Sequence, residues 1–105
     1  MVDILKEEQE LKQKRAEDKI SRTLKNAKIF TYNALVKTDW YIIREADAGT
    51  AVPDEIKQSR AEFREKLNVL ETTLNAIDTS DMTVVVRISI LLREALNDFY
   101  GTTTE

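Results

Sequence analysis

The fold is decided by residues 53–77, which read PDEIKQSRAEFREKLNVLETTLNAI. The apolar side chains recur there at steps of three or four residues, with Arg60 in the one polar place of that register. These apolar positions are Ile56, Phe63, Leu67, Leu70, Leu74 and Ile77. Pro53 suits the first residue of a helix, and the acids Asp54 and Glu55 suit the positive end of the helix dipole. A single seam along the whole stretch predicts a helix packed against another helix.

The partner for that helix lies upstream, where the chain contains no Gly before residue 49 and no Pro before residue 53. Residues 2–37 are therefore predicted to form one long helix. Residues 1–19 are expected to project as a charged helix, because ten of the fourteen residues from Lys6 to Lys19 are charged. From residue 20 onward a packing face recurs at helical spacing, formed by Ile20, Leu24, Ala27, Thr31 and Leu35.

Residues 20–77 are accordingly predicted to form an antiparallel helical hairpin, with a connecting loop at residues 38–53. Thr38 or Asp39 is a suitable capping residue for a break in the long helix, and a short helical turn is expected to follow. Gly49 and Pro53 mark the second half of the connection as a loop.

The last segment is predicted to be a third helix at residues 82–100, after a break at Asp78–Asp81. Residues 83–90 are rich in β-branched side chains, so a strand at the start of this segment is the alternative. Helical spacing across the segment and the lack of a second strand to pair with favour the helix. The fold class is thus all-α, and residues 1–105 form a single domain.

Composition argues against enzymatic activity. The chain has no Cys and no His, which removes thiolate metal sites, cysteine nucleophiles and the usual general base near neutral pH. Phosphate-binding loops and nucleophile elbows are absent from the sequence as well. We expect no catalytic residue, no cofactor and no metal.

Charge and hydropathy bear on the partners. No apolar run approaches the roughly 20 residues that a membrane span requires, so we expect synthesis in the cytosol and no membrane partner. Residues 12–28 contain seven basic side chains, which could attract nucleic acid. They carry no recognised motif and belong to a chain of net charge −3, so a solvated helix face is favoured and nucleic acid is not an expected partner.

Protein partners are indicated by apolar residues that one small domain cannot bury. The segment 82–100 is apolar on more than one face, and a helix of this kind is covered on several sides. Trp40 and Tyr41 beside the Gly–Pro loop are typical interface anchors. For Trp40 the favoured interpretation is that it plugs the open end of the hairpin, although one residue can do both. Leu5 and Leu11, with Ala16, could form a sparse seam in an oligomer. The predicted partner-binding residues are Trp40, Tyr41, Leu5, Leu11, Val84, Val86, Leu91 and Phe99.

The run from Leu35 to Ile56, followed by residues 60–64, resembles a module of bacteriophage tail proteins, found in tail-fibre assembly chaperones and related small tail proteins. In that module a helix ends in Thr-Asp-Trp, a short loop carries Gly-Thr and Ile/Val-Pro, and a second helix opens with Tyr-Arg-x-x-Leu-Arg. The matching residues are Thr38, Asp39, Trp40, Tyr41, Arg44, Gly49, Thr50, Val52, Pro53, Arg60 and Arg64. The family's aromatic residue before the first Arg is not reproduced by Gln58 and Ser59.

The resemblance implies a non-enzymatic structural or adaptor protein of the tail, baseplate or fibre-attachment region. Other phage tail proteins would be its partners in a multi-copy assembly, first in the host cytoplasm and then in the virion tail. The alternative is a transient assembly chaperone that the virion does not retain. Family chaperones carry the module after a larger N-terminal region and end soon after it, whereas this chain adds residues 78–100.

Overall fold

The computed structural model describes residues 3–101 and is all-α, as the sequence predicts. Five helices follow one another: α1 (Asp3–Val36), α2 (Asp39–Ala48), α3 (Asp54–Asn75), α4 (Met82–Val85) and α5 (Ile88–Tyr100). Val2, the predicted start of the first helix, lies outside the described residues. The alternative of a strand at residues 83–90 is wrong, since most of α4 and the start of α5 lie there.

The long helix α1 packs antiparallel against α3, and this confirms the predicted hairpin. The two helices are joined near one end by Arg60 and the Leu35 carbonyl, and further along by Lys28 and Glu71, whose charged atoms are 3.7 Å apart. Ala27 of α1 is completely buried and belongs to the core cluster. Leu70 and Leu74, from the predicted seam, are buried with it.

The C-terminal helix α5 lies against both α1 and α3 and runs parallel to α1. Near its start, Lys19 Nζ donates a hydrogen bond of 3.1 Å to Ser89 Oγ. Near its end, the rings of Phe30 and Phe99 meet edge to face, with their centroids 5.9 Å apart. Its buried face consists of Ile88, Leu92, Ala95 and Phe99, at helical spacing.

The prediction of one continuous helix at residues 82–100 is wrong, because the chain turns at Val86 and Arg87 between α4 and α5. The three consecutive valines at 84–86 are β-branched, and such residues lower helix propensity. The turn also lets Val85 and Ile88 both enter the core, at 5% and 8% exposure. Burial of these two side chains in the core therefore offsets the free-energy cost of interrupting the helix.

The predicted loop at residues 38–53 is also corrected, because it contains the ten-residue helix α2. Nothing between Asp39 and Ala48 breaks a helix, so the helical turn expected after Thr38 continues. It ends at Gly49, whose φ of 72° is the left-handed conformation that glycine adopts without strain. Only residues 49–53 remain as an irregular connection.

The projecting part of α1 is shorter than residues 1–19. Ala16 is 2% exposed and belongs to the core cluster, because α4 packs across α1 at this level. Residues 4–12 are exposed, and they extend a flat molecule that measures 71 × 31 × 16 Å. Ala16 therefore does not belong to a free seam with Leu5 and Leu11.

Candidate protein-binding surface

The most distinctive surface feature lies on α2, where Trp40, Tyr41 and Arg44 form what we call the aromatic cluster. The two rings are stacked, with centroids 3.9 Å apart and an angle of 27° between their planes. The Arg44 guanidinium lies over both rings, 4.9 Å from the Trp40 centroid and 5.5 Å from that of Tyr41. Because Trp40 is 50% exposed, plugging the hairpin accounts for only part of its surface.

The start of α2, next to the aromatic cluster, is joined to α3 by Arg60. This residue is buried, and it is the one polar residue of the seam that the sequence predicts on α3. Arg60 Nη1 donates to the Leu35 carbonyl at 2.8 Å and to Thr38 Oγ1 at 2.7 Å. Its Nη2 lies 3.0 Å from Asp39 Oδ1. The Arg60 guanidinium thus connects α3 to three places: the last turn of α1, the turn that follows it, and the first residue of α2.

The far end of α2 is anchored too. The Val52 N–H donates a 3.1 Å hydrogen bond to Glu45 Oε2, and the Val52 side chain is buried. The Gly49 N–H closes the helix by donating to the Glu45 carbonyl. Hydrogen bonds thus hold both ends of α2, which carries the aromatic cluster, and Ile42 and Ile43 are exposed on the same helix.

The four predicted residues of the C-terminal segment do not share one surface. Phe99 is a correction: it is 5% exposed in the intramolecular core, because α5 fills the space against α1 and α3. Val84 and Leu91 are half-buried, whereas Val86 is 69% exposed. Val86 borders a depression of about 350 Å³ between α4 and α1, whose other walls include Lys12, Arg15 and Ala16.

The remaining predicted residues, Leu5 and Leu11, are exposed on the projecting part of α1. Six residues of an α-helix turn by about 240°, so the two side chains point to different sides. The structure therefore brings Trp40 and Tyr41 together, and it leaves Leu5, Leu11 and Val86 on other elements.

Sequence reasoning missed a row of exposed apolar residues on α1, namely Ile29, Tyr32 and Val36. Their spacing of three and four residues was visible in the sequence. It was overlooked because the packing face of the same helix carried the stronger signal. The structural role of Arg60 was missed as well, since its hydrogen-bond acceptors lie more than twenty residues away.

Two carboxyl groups have pKa values that local hydrogen bonds lower. The pKa of Asp78 is lowered by hydrogen bonds from the Ser80 hydroxyl and N–H, and that of Asp81 by hydrogen bonds from the Thr83 hydroxyl and N–H. Among residues 3–101, no three His, Cys, Asp or Glu side chains group so that they could hold a metal ion. Within that range no helix combines the length and apolarity that crossing a bilayer requires.

Comparison with known proteins found no matching family model, no matching curated protein and no matching solved structure. The fold and the surface themselves define a small helical protein with an elongated body. Its exposed apolar residues lie on α1, α2, α3 and α5 and at the turn between α4 and α5, and the best-supported group of them is the aromatic cluster.

Proposed function

We propose that this chain is a non-enzymatic structural adaptor of a bacteriophage tail, located in the tail, baseplate or fibre-attachment region. It acts through contacts with other tail proteins and is present in several copies. It assembles in the host cytoplasm and remains in the virion tail. The tail assignment rests on the sequence run from Leu35 to Arg64 and its resemblance to the tail-protein module.

The observation that carries a binding role is the half-exposed Trp40, stacked on Tyr41 on a helix anchored at both ends. Tryptophan, tyrosine and arginine are the residue types that dominate binding energy at protein interfaces. A platform that is already ordered loses little conformational freedom on binding, which favours affinity.

Arg44 adds a polar element to that platform. Its Nε is buried and has no hydrogen-bond partner among the described residues. A partner that places a carboxylate or a carbonyl at the edge of the cluster would give this guanidinium an acceptor. Charge-assisted bonds of this kind are directional, so they fix the orientation of a partner as well as adding affinity.

The proposal is tested by mass spectrometry of purified phage particles, with the copy number measured against the major tail proteins. We expect the chain in particles at a fixed ratio of more than one copy. Its absence from particles together with abundance in infected-cell lysate would contradict the adaptor role and support the assembly chaperone.

A second test addresses the aromatic cluster. Trp40→Ala should lower incorporation into particles at least tenfold while the far-ultraviolet circular dichroism spectrum stays unchanged. Ile90→Ala is the matched control, since Ile90 is similarly exposed, at 42%, on α5. Normal incorporation of the Trp40→Ala protein would remove the aromatic cluster from the proposed contact.

A further inference from the structure

A second surface runs along the side of α1 that faces away from the hairpin. Ile29 follows the buried Ala27 by two residues, a rotation of about 200°, so it lies on the opposite side of the helix. Exposed residues continue from Ile29 in both directions at steps of three and four. This α1 outer stripe has a charged half, made of Arg15, Asp18, Arg22 and Lys25, and an apolar half, made of Ile29, Tyr32 and Val36.

The outward side of α3 carries a stripe of the opposite charge. Thr72 follows the buried Leu70 by the same two residues and is exposed. The exposed positions at steps of three and four form an α3 outer stripe. Its first half holds Glu55, Gln58, Glu62 and Glu65, and its second half holds Val69 and Thr72 together with Ala76, the C-cap directly after α3. Part of this stripe borders a groove of about 420 Å³, whose other wall is Ala95, Asp98 and Phe99.

The two stripes have identical spacing. Each residue of the α1 outer stripe corresponds to the α3 residue whose number is higher by 40, as 15 and 55 illustrate. With the helices parallel, three basic residues face three glutamates: Arg15 with Glu55, Arg22 with Glu62, and Lys25 with Glu65. The other four layers are Asp18 with Gln58, Ile29 with Val69, Tyr32 with Thr72, and Val36 with Ala76. In none of these seven facing pairs do both residues carry the same charge.

Several other pairings of the same stripes are less complementary. Two antiparallel α1 stripes that bring Ile29 onto Leu11, which continues the α1 spacing, oppose Arg15 to Lys25, and two α3 stripes packed in parallel bring glutamates together.

An antiparallel α1–α3 pairing that joins Leu11 to Val69 forms ion pairs of Arg15 with Glu65 and of Lys25 with Glu55, but it opposes Asp18 to Glu62. A shift by one turn that relieves this repulsion puts Leu11 against Glu65.

We infer that the α1 outer stripe of one copy packs in parallel on the α3 outer stripe of a second copy of this chain. Each copy carries both stripes. Because α1 and α3 are antiparallel within a copy, successive copies point in opposite directions, so the contact closes as a pair when each copy engages both stripes of the other and otherwise repeats as a filament of alternating copies. The inference refines the multi-copy part of the proposed function. Purified protein alone tests it, so its failure would leave the presence of the chain in tails unaffected.

The contact combines exposed ion pairs with a short apolar half, so its affinity is modest and depends on salt. In sedimentation equilibrium at low ionic strength, the mean mass should rise with protein concentration. It should return to the monomer value in about 1 M salt, where charges are screened beyond about 3 Å.

Charge reversal tests the pairing of the stripes. Arg22→Glu and Glu62→Arg should each weaken self-association at least about tenfold, because one ion pair becomes a repulsion. An equimolar mixture of the two variants should associate again. When the two variants alternate along the assembly, positions 22 and 62 carry opposite charges in every contact. Lys57→Glu and Glu94→Arg reverse exposed charges outside the stripes and serve as controls. A wild-type chain that stays monomeric at low salt, or variants that associate as it does, would overturn the inference.

The direction of packing is tested by disulfide formation, for which the chain is suited because it contains no cysteine. A mixture of the Ile29→Cys and Val69→Cys proteins should yield a disulfide-linked heterodimer at least about tenfold faster than a mixture of Leu11→Cys and Val69→Cys. The faster reaction of the Leu11 pair would indicate antiparallel packing and contradict the proposed register.

Discussion

At the scale of single residues, the structure depends most on a buried arginine. Arg60 occupies a core position of α3 and stays there because three acceptors at the end of α1 and the start of α2 meet its guanidinium. The Leu35 carbonyl lies in the last turn of α1, where a helix has no partner of its own for it, and it accepts from the Thr38 N–H and hydroxyl as well as from Arg60. Arg60 thus joins the end of one helix to the start of the next.

We predict that Arg60→Met lowers the free energy of unfolding by about 2 kcal/mol, because the apolar stem is kept but the charge-assisted hydrogen bonds that join α3 to the end of α1 and the start of α2 are lost. Urea unfolding followed by circular dichroism measures the change. Arg64→Met, at an exposed position one turn further along α3, should stay within about 0.5 kcal/mol of the wild type. Equal effects of the two substitutions would show that the Arg60 contacts contribute nothing.

Thr31 is a position at which we expect a substitution to raise the free energy of unfolding. It is 3% exposed, and its hydroxyl has no hydrogen-bond partner among the described residues. Thr31→Val keeps the β-branched shape and removes the polar atom, so it should raise the free energy of unfolding by about 1 kcal/mol. The exposed Thr73→Val is the control, with little expected change. A loss of stability in Thr31→Val would mean that the hydroxyl is bonded.

Asp81 gives a pH dependence whose sign follows from its hydrogen bonds. Its side chain accepts from the Thr83 N–H at the start of α4 and from the Thr83 hydroxyl, and its pKa lies below the ordinary 3.8. A lowered folded-state pKa contributes stability above pH 3.8 that is lost as the pH falls through the folded-state value.

Nuclear magnetic resonance titration of the Asp81 carboxyl should therefore give a midpoint below 3.8. Asp81→Asn keeps a capping side chain that does not titrate. The stability difference between the wild type and this variant should be constant well above that pH and should move in favour of the variant as acid is added. A difference that does not depend on pH would contradict the assignment.

At the scale of elements, the two ends of the chain contribute unequally. The projecting part of α1 has exposed apolar residues and lies outside the core, whereas α5 supplies Ile88, Leu92, Ala95 and Phe99. These are four of the ten buried apolar residues of residues 3–101, so α5 completes a core that the hairpin alone leaves open.

Removal of residues 1–11 should consequently change the free energy of unfolding by less than about 0.5 kcal/mol, as for surface changes. Removal of residues 88–105 should abolish cooperative urea unfolding, because most of the surface buried against α1 and α3 is lost. A strongly destabilised protein after the first deletion, or a cooperative one after the second, would reverse this division of roles.

At the scale of the whole molecule, the chain is far from spherical. Its radius of gyration is 19.0 Å, whereas a compact chain of this length has about 13 Å. The length comes from α1, which spans about 51 Å as a continuous helix of 34 residues. An elongated body exposes long helix sides, and the two outer stripes lie on such sides.

Small-angle X-ray scattering of the monomer in about 1 M salt should give a radius of gyration near 19.0 Å. Removal of residues 1–11 should lower it, because the projecting turns of α1 are lost. A value near 13 Å for the complete chain would mean that α1 bends back on the body in solution.

The sequence by itself determined the elements whose signals are local. The seam from Ile56 to Ile77 repeats within one helix, and the hairpin follows from it because a continuous apolar row requires a second helix. Gly49 and Pro53 mark a break through their own backbone preferences. Trp40 is half exposed, so the choice between interface anchor and hairpin plug stays a prediction.

Tertiary structure alone decided the features that depend on distant partners. Arg60 is buried because Leu35 and Thr38 lie within reach of its guanidinium, and a polar residue in a heptad does not reveal whether such acceptors exist. The turn at Val86–Arg87 and the burial of Phe99 depend on where α5 meets the hairpin. Periodicity shows that a helix has an apolar face, but the element that covers this face is chosen by packing across the whole chain.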